Sequence, residues 1–138
     1  QDSLAFQSYE KRLQWKPDNV GGMNNYAYYL SEKNEDLEKA EQMSRKTIDA
    51  EPKNSTFLDT YAWILFQQGK YADAKTYIDQ AIENDSTLGD VVLEHAGDIY
   101  YMSGEKEKAL DFWTKAAEKG EGSGLLSKKI KLKRIVTK

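Results

Sequence analysis

Residues 55–85, STFLDTYAWILFQQGKYADAKTYIDQAIEND, decide the fold. They read as two short amphipathic helices joined by a turn at Gln68-Gly69. In the first helix Leu58, Tyr61, Ala62 and Leu65 fall at i, i+3, i+4 and i+7. In the second, Tyr71, Ala74, Ile78, Ala81 and Ile82 form the matching stripe. Each helix is about a dozen residues long, near the length at which an isolated helix is marginal in water. Such a hairpin needs neighbours, and the chain supplies them as copies of itself.

To the N-terminal side, residues 20–54 form another copy. Its first helix carries Met23, Tyr26, Ala27 and Leu30, and its second carries Leu37, Ala40, Met43, Thr47 and Ile48. The turn SEKNED is one residue longer here, with Asn34 suited to the left-handed conformation that Gly69 can take next door. Ala40 to Ala74 and Thr47 to Ala81 are both 34 residues, so the second helices are in register. Asn54 or Ser55 is the expected N-cap of the middle copy. Residues 87–120 form a third copy, lined by Leu93, Ala96, Gly97 and Tyr100, then by Ala109, Phe112, Trp113 and Ala116.

Further out, residues 1–19 contain one amphipathic helix over 3–16, ended by Pro17. Aligning Pro17 with Pro52, 35 residues on, places Ala5 on Ala40 and Leu13 on Ile48. This helix therefore reads as the second half of a repeat, and the sequence as a piece of a longer protein. Past the flexible GEGSG at 120–124, residues 123–136 read as a last helix capping the stack. Leu125, Leu132 and Val136 lie on one face, with Leu126 and Ile130 beside it. A strand at 130–135 is the weaker alternative.

The whole is read as an all-α single domain of 138 residues. Without cysteine there are no disulfides or thiolate metal sites, and no apolar run approaches the roughly 20 residues of a membrane span. Charge is uneven. Six of the 20 basic residues follow Gly122, where there is no acid, so residues 1–122 hold 14 bases against 23 acids, a net of −9. An acidic body argues against nucleic acid as a partner, and the basic tail is read as complementing a helix C-terminus and the acidic repeats.

A tandem helix–turn–helix unit with this period resembles the tetratricopeptide repeat. Ala27, Ala62 and Gly97 match the small residue of its first helix. Ala40, Ala74 and Ala109 match the one opening its second, and Ala81 and Ala116 the third small site, where the first copy has Thr47. Leu30, Leu65 and Tyr100 match the large residue before the turn. Pro17 and Pro52 match the proline after the second helix, and Ser86 departs from it. The resemblance covers roughly residues 1–120 in three and a half copies. It implies a right-handed superhelical stack of antiparallel hairpins, a tetratricopeptide solenoid. Details such as LDTYAWILFQQGKYADA resemble the C-terminal repeats of long bacterial scaffolds that bind proteins. The compartment stays open between cytoplasmic and periplasmic or lipoprotein-anchored, since any targeting segment would lie upstream.

In that family the first helices line a curved groove. Here they carry a second stripe, which in the middle copy is Asp59, Trp63, Phe66 and Gln67. The first copy places Asn24, Tyr28, Ser31 and Glu32 there, and the third Glu94, Asp98, Tyr101 and Met102. One reading is a groove for an extended peptide or partner helix, anchored by Trp63, Phe66, Tyr28 and Tyr101. Glu32, Asp59, Glu94 and Asp98 would then favour a basic or amide-rich ligand. The other reading is that Trp63 and Tyr101 fill space between repeats. The family's carboxylate-gripping subset uses Lys, Asn and Arg on this stripe. Asn24, Asp59 and Glu94, then Tyr28, Trp63 and Asp98, lack those cations, and that mode is rejected. His95, the single histidine, has Glu94 and Asp98 nearby, but one helical turn does not make a metal shell. No cofactor motif and no catalytic constellation is present. The expected function is a non-enzymatic module binding a protein or peptide partner, or a structural role as terminal repeats of a larger scaffold.

Overall fold

The computed structural model describes residues 19–85 and 87–137. The helix expected over 3–16 lies outside these residues. Among them are seven α-helices and no strand. Three hairpins follow one another: α1 (Val20–Lys33) with α2 (Leu37–Ala50), α3 (Ser55–Gln67) with α4 (Tyr71–Asn84), and α5 (Asp90–Met102) with α6 (Lys106–Lys119). A short α7 (Leu126–Leu132) closes the series. Within each hairpin the two helices pack on each other. Between hairpins α2 meets α3, α4 meets α5, α1 meets α3, and α3 meets α5, so the first helices stand side by side. α7 packs on α6.

Local chemistry sets the boundaries. Asn54 is the N-cap of α3, its side-chain oxygen accepting from the Phe57 N–H at 3.1 Å. Ser55 instead donates to the Ala81 carbonyl at 2.9 Å, tying α3 to α4. Asn34 ends α1 in the left-handed region at φ 54°, and Gly69 does the same after α3 at φ 81°. The longer first turn holds a second left-handed residue, Asp36 at φ 45°.

The small-residue pattern has a direct steric basis. Ala27, Ala40, Ala62, Ala74, Ala81, Ala109 and Ala116 are all fully buried, where any larger group would separate the helices. Thr47 fits the same site because its hydroxyl donates to the Ser44 carbonyl at 2.6 Å. Gly97 goes further than its counterparts Ala27 and Ala62. It faces Trp113, which stands 35 residues after Ile78, itself 34 after Ser44. A Cβ on Gly97 would come within 2.3 Å of the indole. The largest partner thus takes the smallest neighbour.

The last helix differs from expectation. It stops at Leu132, where Lys133 turns left-handed at φ 56°, and the Arg134 N–H bonds back to the Lys129 carbonyl at 3.2 Å. Continuing the helix would carry the basic run Lys131–Arg134 along a face with little apolar surface to bury. Leu132, expected on the buried face, is 47% exposed, and Leu126 and Lys129 face inward instead. Residues 135–137 leave the helix, and Val136 is buried.

Candidate binding groove

The side-by-side first helices bring their second stripes onto one surface. On α3, Asp59, Trp63, Phe66 and Gln67 are spaced at i, i+4, i+7 and i+8 and share a face. Trp63 and Phe66 stack with centroids 4.7 Å apart and planes 10° apart. Across the repeat boundary Trp63 also stacks on His95 of α5, at 3.9 Å and 17°. Tyr28 of α1 approaches the same imidazole at 6.3 Å. Four rings from three helices therefore form one continuous platform, with Trp63 on His95 the closest contact and the other two at usual aromatic-pair distances.

Above this platform is a cleft of about 650 Å³, a normal size for a binding site. Tyr28 and Glu32 form one wall and Trp63, Phe66 and Gln67 the floor. Val91, Glu94, His95 and Asp98 come from α5, and residues 122–137 supply the opposite wall. Seven of the ten residues singled out from sequence line this cleft: Tyr28, Glu32, Trp63, Phe66, Gln67, Glu94 and Asp98. Asp59 is buried beside it. Asn24 is buried outside it, its side-chain oxygen without a hydrogen-bond donor. Tyr101 is turned away, stacked on Trp113 at 5.8 Å with Lys106 over its ring. Trp63 combines both sequence readings: it is 9% exposed and packs between repeats, yet it lines the cleft, and its indole N–H has no acceptor.

The acidic residues are not the open anionic stripe expected. His95 Nδ1–H donates to Asp59 at 2.9 Å with both groups buried. Burial alone would lower the His95 pKa, but the Asp59 carboxylate outweighs it and the pKa is raised. Lys129 of α7 reaches Glu94 at 2.6 Å and both oxygens of Asp98 at 2.9 Å, again wholly buried. Burial pushes Asp98 up, and Lys129 offsets this only in part. At Glu94 burial also raises, but the Lys129 ammonium and two Ser123 donors overcome it and hold the carboxyl low. Those donors are the Ser123 N–H at 2.7 Å and its hydroxyl at 2.6 Å. Asp98 also accepts from the Trp113 indole at 3.1 Å. Only Glu32 among the four acids is exposed. It accepts a hydrogen bond from Tyr28, whose pKa is raised first by burial and then by that bond.

Residues 120–124 make this closure possible. The Gly122 N–H donates to Asp90 at 2.8 Å, with Gly122 at φ 61°. A Cβ there would stand 2.2 Å from a Glu94 carboxylate oxygen, so only glycine fits.

Sequence reasoning undervalued His95, Lys129 and residues 135–137. A signal was available for the first two. Two of the buried acids pair with a base one repeat on, Asp59 with His95 at 36 residues and Glu94 with Lys129 at 35. Among the described residues no cluster of three His, Asp or Glu side chains could hold a metal ion, and no helix is long and apolar enough to cross a membrane.

Comparison with known proteins agrees with the architecture. Residues 56–87 match the tetratricopeptide repeat family. Over 68 residues, 49% of the chain, the sequence is 32% identical to a TPR repeat-containing protein of Pseudomonas aeruginosa, and it spans 12% of that curated relative's length. Among solved structures, a thermophilic TPR protein of Thermus thermophilus superposes with a TM-score of 0.75 at 17% identity, covering 94% of this chain and 71% of that one. A tetratricopeptide repeat protein of Parabacteroides merdae superposes with a TM-score of 0.77 at 21% identity, covering 92% and 49%. Residues 56–87 thus carry a tetratricopeptide repeat signature, and the described residues share the all-α helical repeat solenoid of these proteins.

Proposed function

We propose that this chain is a non-catalytic interaction module that holds an extended peptide or a partner helix in the cleft over α3. Tetratricopeptide domains are in general protein-interaction modules, and this coarser assignment follows from the fold. The observation that carries the finer reading is the ring platform of Tyr28, Trp63, Phe66 and His95, which lies against a cleft of about 650 Å³. Aromatic anchors in a partly enclosed pocket are where interfaces concentrate their binding energy. The exposed Glu32 carboxylate at its rim favours a partner carrying a cation or amide.

The test is capture of partners by the unaltered chain and by a Trp63→Ala/Phe66→Ala variant whose helical circular dichroism is retained. Loss of partners from the variant supports the groove, and identical partner sets refute it. A second reading has these repeats act through an outer or end surface of a larger scaffold. Leu132 and Met102, 47% and 41% exposed, favour it. Light scattering that finds only monomer at high concentration counts against self-assembly by that route.

A further inference from the structure

The wall formed by residues 135–137 differs in build from the rest of the cleft lining. α7 is pinned by the buried Lys129 ion pairs and by Leu126, 2% exposed. Beyond it, Lys133 turns left-handed and the chain reverses into an irregular, non-helical run. Lys131 to Arg134 are exposed, and Leu132 leaves its side chain in water. Four residues after Leu132, Val136 is only 8% exposed, and Ile135 packs against the main core. Ile135, Val136 and Thr137 line the same cleft as Trp63 and Phe66. The apolar residues of this segment are therefore held in the cleft by five residues that belong to no helix.

Charge points the same way. The buried acids are paired with His95 and Lys129, which leaves the exposed Glu32 carboxylate at the rim of the cleft, while residues 133–137 carry Lys133 and Arg134 and no acid. Opposite charge at the rim and β-branched side chains lining the same cleft as the aromatic rings form a complementary pair.

We infer that residues 133–137 are a displaceable strap, an internal copy of the ligand the groove takes. Its partner is then an extended segment with two adjacent β-branched aliphatic residues preceded by cations. This rests on the groove being the binding surface. Because α7 tethers the strap beside the cleft, its effective concentration is on the order of millimolar, and a partner competes with it. Apparent affinity for an outside segment falls by the fraction of molecules with the strap withdrawn.

The experiment uses the full chain and a fluorescein-labelled peptide of sequence Lys-Arg-Ile-Val-Thr-Lys, read by anisotropy. Two variants loosen the strap: Ile135→Ser/Val136→Ser removes its apolar contacts, and Arg134→Glu/Thr137→Glu changes only exposed residues and reverses its charge. Both are expected to bind the peptide at least about tenfold tighter than the unaltered chain, which corresponds to a strap closed in about nine molecules of ten. Adding Trp63→Ala to either variant should remove the gain. A peptide with Ser in place of Ile and Val should not bind. Equal affinity for all three chains, or no binding by both variants with circular dichroism unchanged, overturns the strap. If that happens while Trp63→Ala/Phe66→Ala still loses captured partners, the strap alone fails and the groove stands. Dimerisation of the strap variants would make a second copy the occupant and also overturn the inference.

Discussion

Replacing Lys129 by Met tests whether α7 is truly built into the third repeat. Lys129 is 4% exposed, and its partners Glu94 and Asp98 are 3% and 5% exposed. Met keeps most of the volume but leaves two carboxylates facing each other without a cation. Removing one member of a buried ion pair costs about 3–5 kcal/mol, and here one ammonium serves two acids. With an m-value in urea of about 2 kcal/mol per molar, the midpoint falls by about 2 M. The loss must also depend on pH. In the native chain Glu94 is held low, so its ionised form contributes stability above its unfolded value of 4.5 and loses it as pH falls. Without Lys129, burial pushes both acids up, and protonation relieves the repulsion. The deficit is therefore largest near pH 7.5 and shrinks towards pH 5. The triple variant Lys129→Met/Glu94→Gln/Asp98→Asn, with no charge left to bury, should regain most of the stability. Urea unfolding followed by circular dichroism, with amide exchange in α5 and α6, reads all three. A Lys129→Met deficit below about 1 kcal/mol at pH 7.5, or one unchanged at pH 5, refutes the reasoning.

Two other perturbations probe neighbouring contacts. Gly97→Ala places a Cβ 2.3 Å from a Trp113 ring that is fully buried and bonded to Asp98, so it should cost at least about 2 kcal/mol. Trp113→Ile in that background recreates the Ala62 and Ile78 pairing of the middle repeat, and the double variant should be more stable than the sum of the single losses. Thermal or urea unfolding that gives simple additivity would contradict the steric account. The raised pKa of His95 means its pairing with Asp59 is fully present below its unfolded value of 6.5 and is lost as pH rises through the raised one. The stability difference between the native chain and His95→Gln should therefore narrow as pH rises above 6.5, by at most about 1.4 kcal/mol per unit. A difference that is flat with pH would show that the imidazole is not charged in the fold.

Most of the scaffold was legible because it rests on short-range rules. Small residues such as Ala40, Ala74 and Ala109 recur at 34 and 35 residues, and each turn holds a residue that tolerates positive φ. The stripe of Trp63, Phe66 and Gln67 follows from the same periodicity. What periodicity does not report is how one helix's second stripe meets the next helix. His95 looked like a surface or half-buried residue on its own helix, and became the third ring of the platform only when α5 was laid against α3. Lys129 sat in a run of basic residues where charge suggested solvent, yet it is the one whose register meets Glu94 and Asp98. The helix expected to 136 ended at Leu132 because an amphipathic pattern cannot weigh helix continuation against burying Val136 in a cleft formed by distant residues.

The central claim, that the cleft over α3 is the binding surface, is tested most directly by site-specific photocrosslinking. A benzophenone amino acid is introduced at Gln67, which lines the cleft, and separately at Lys115, exposed on α6. Each is irradiated in lysate with and without Trp63→Ala. The account predicts discrete protein adducts from position 67 that vanish in the Trp63→Ala background, with none of the same adducts from position 115. Adducts from position 115 alone, or adducts at 67 indifferent to Trp63, would contradict it.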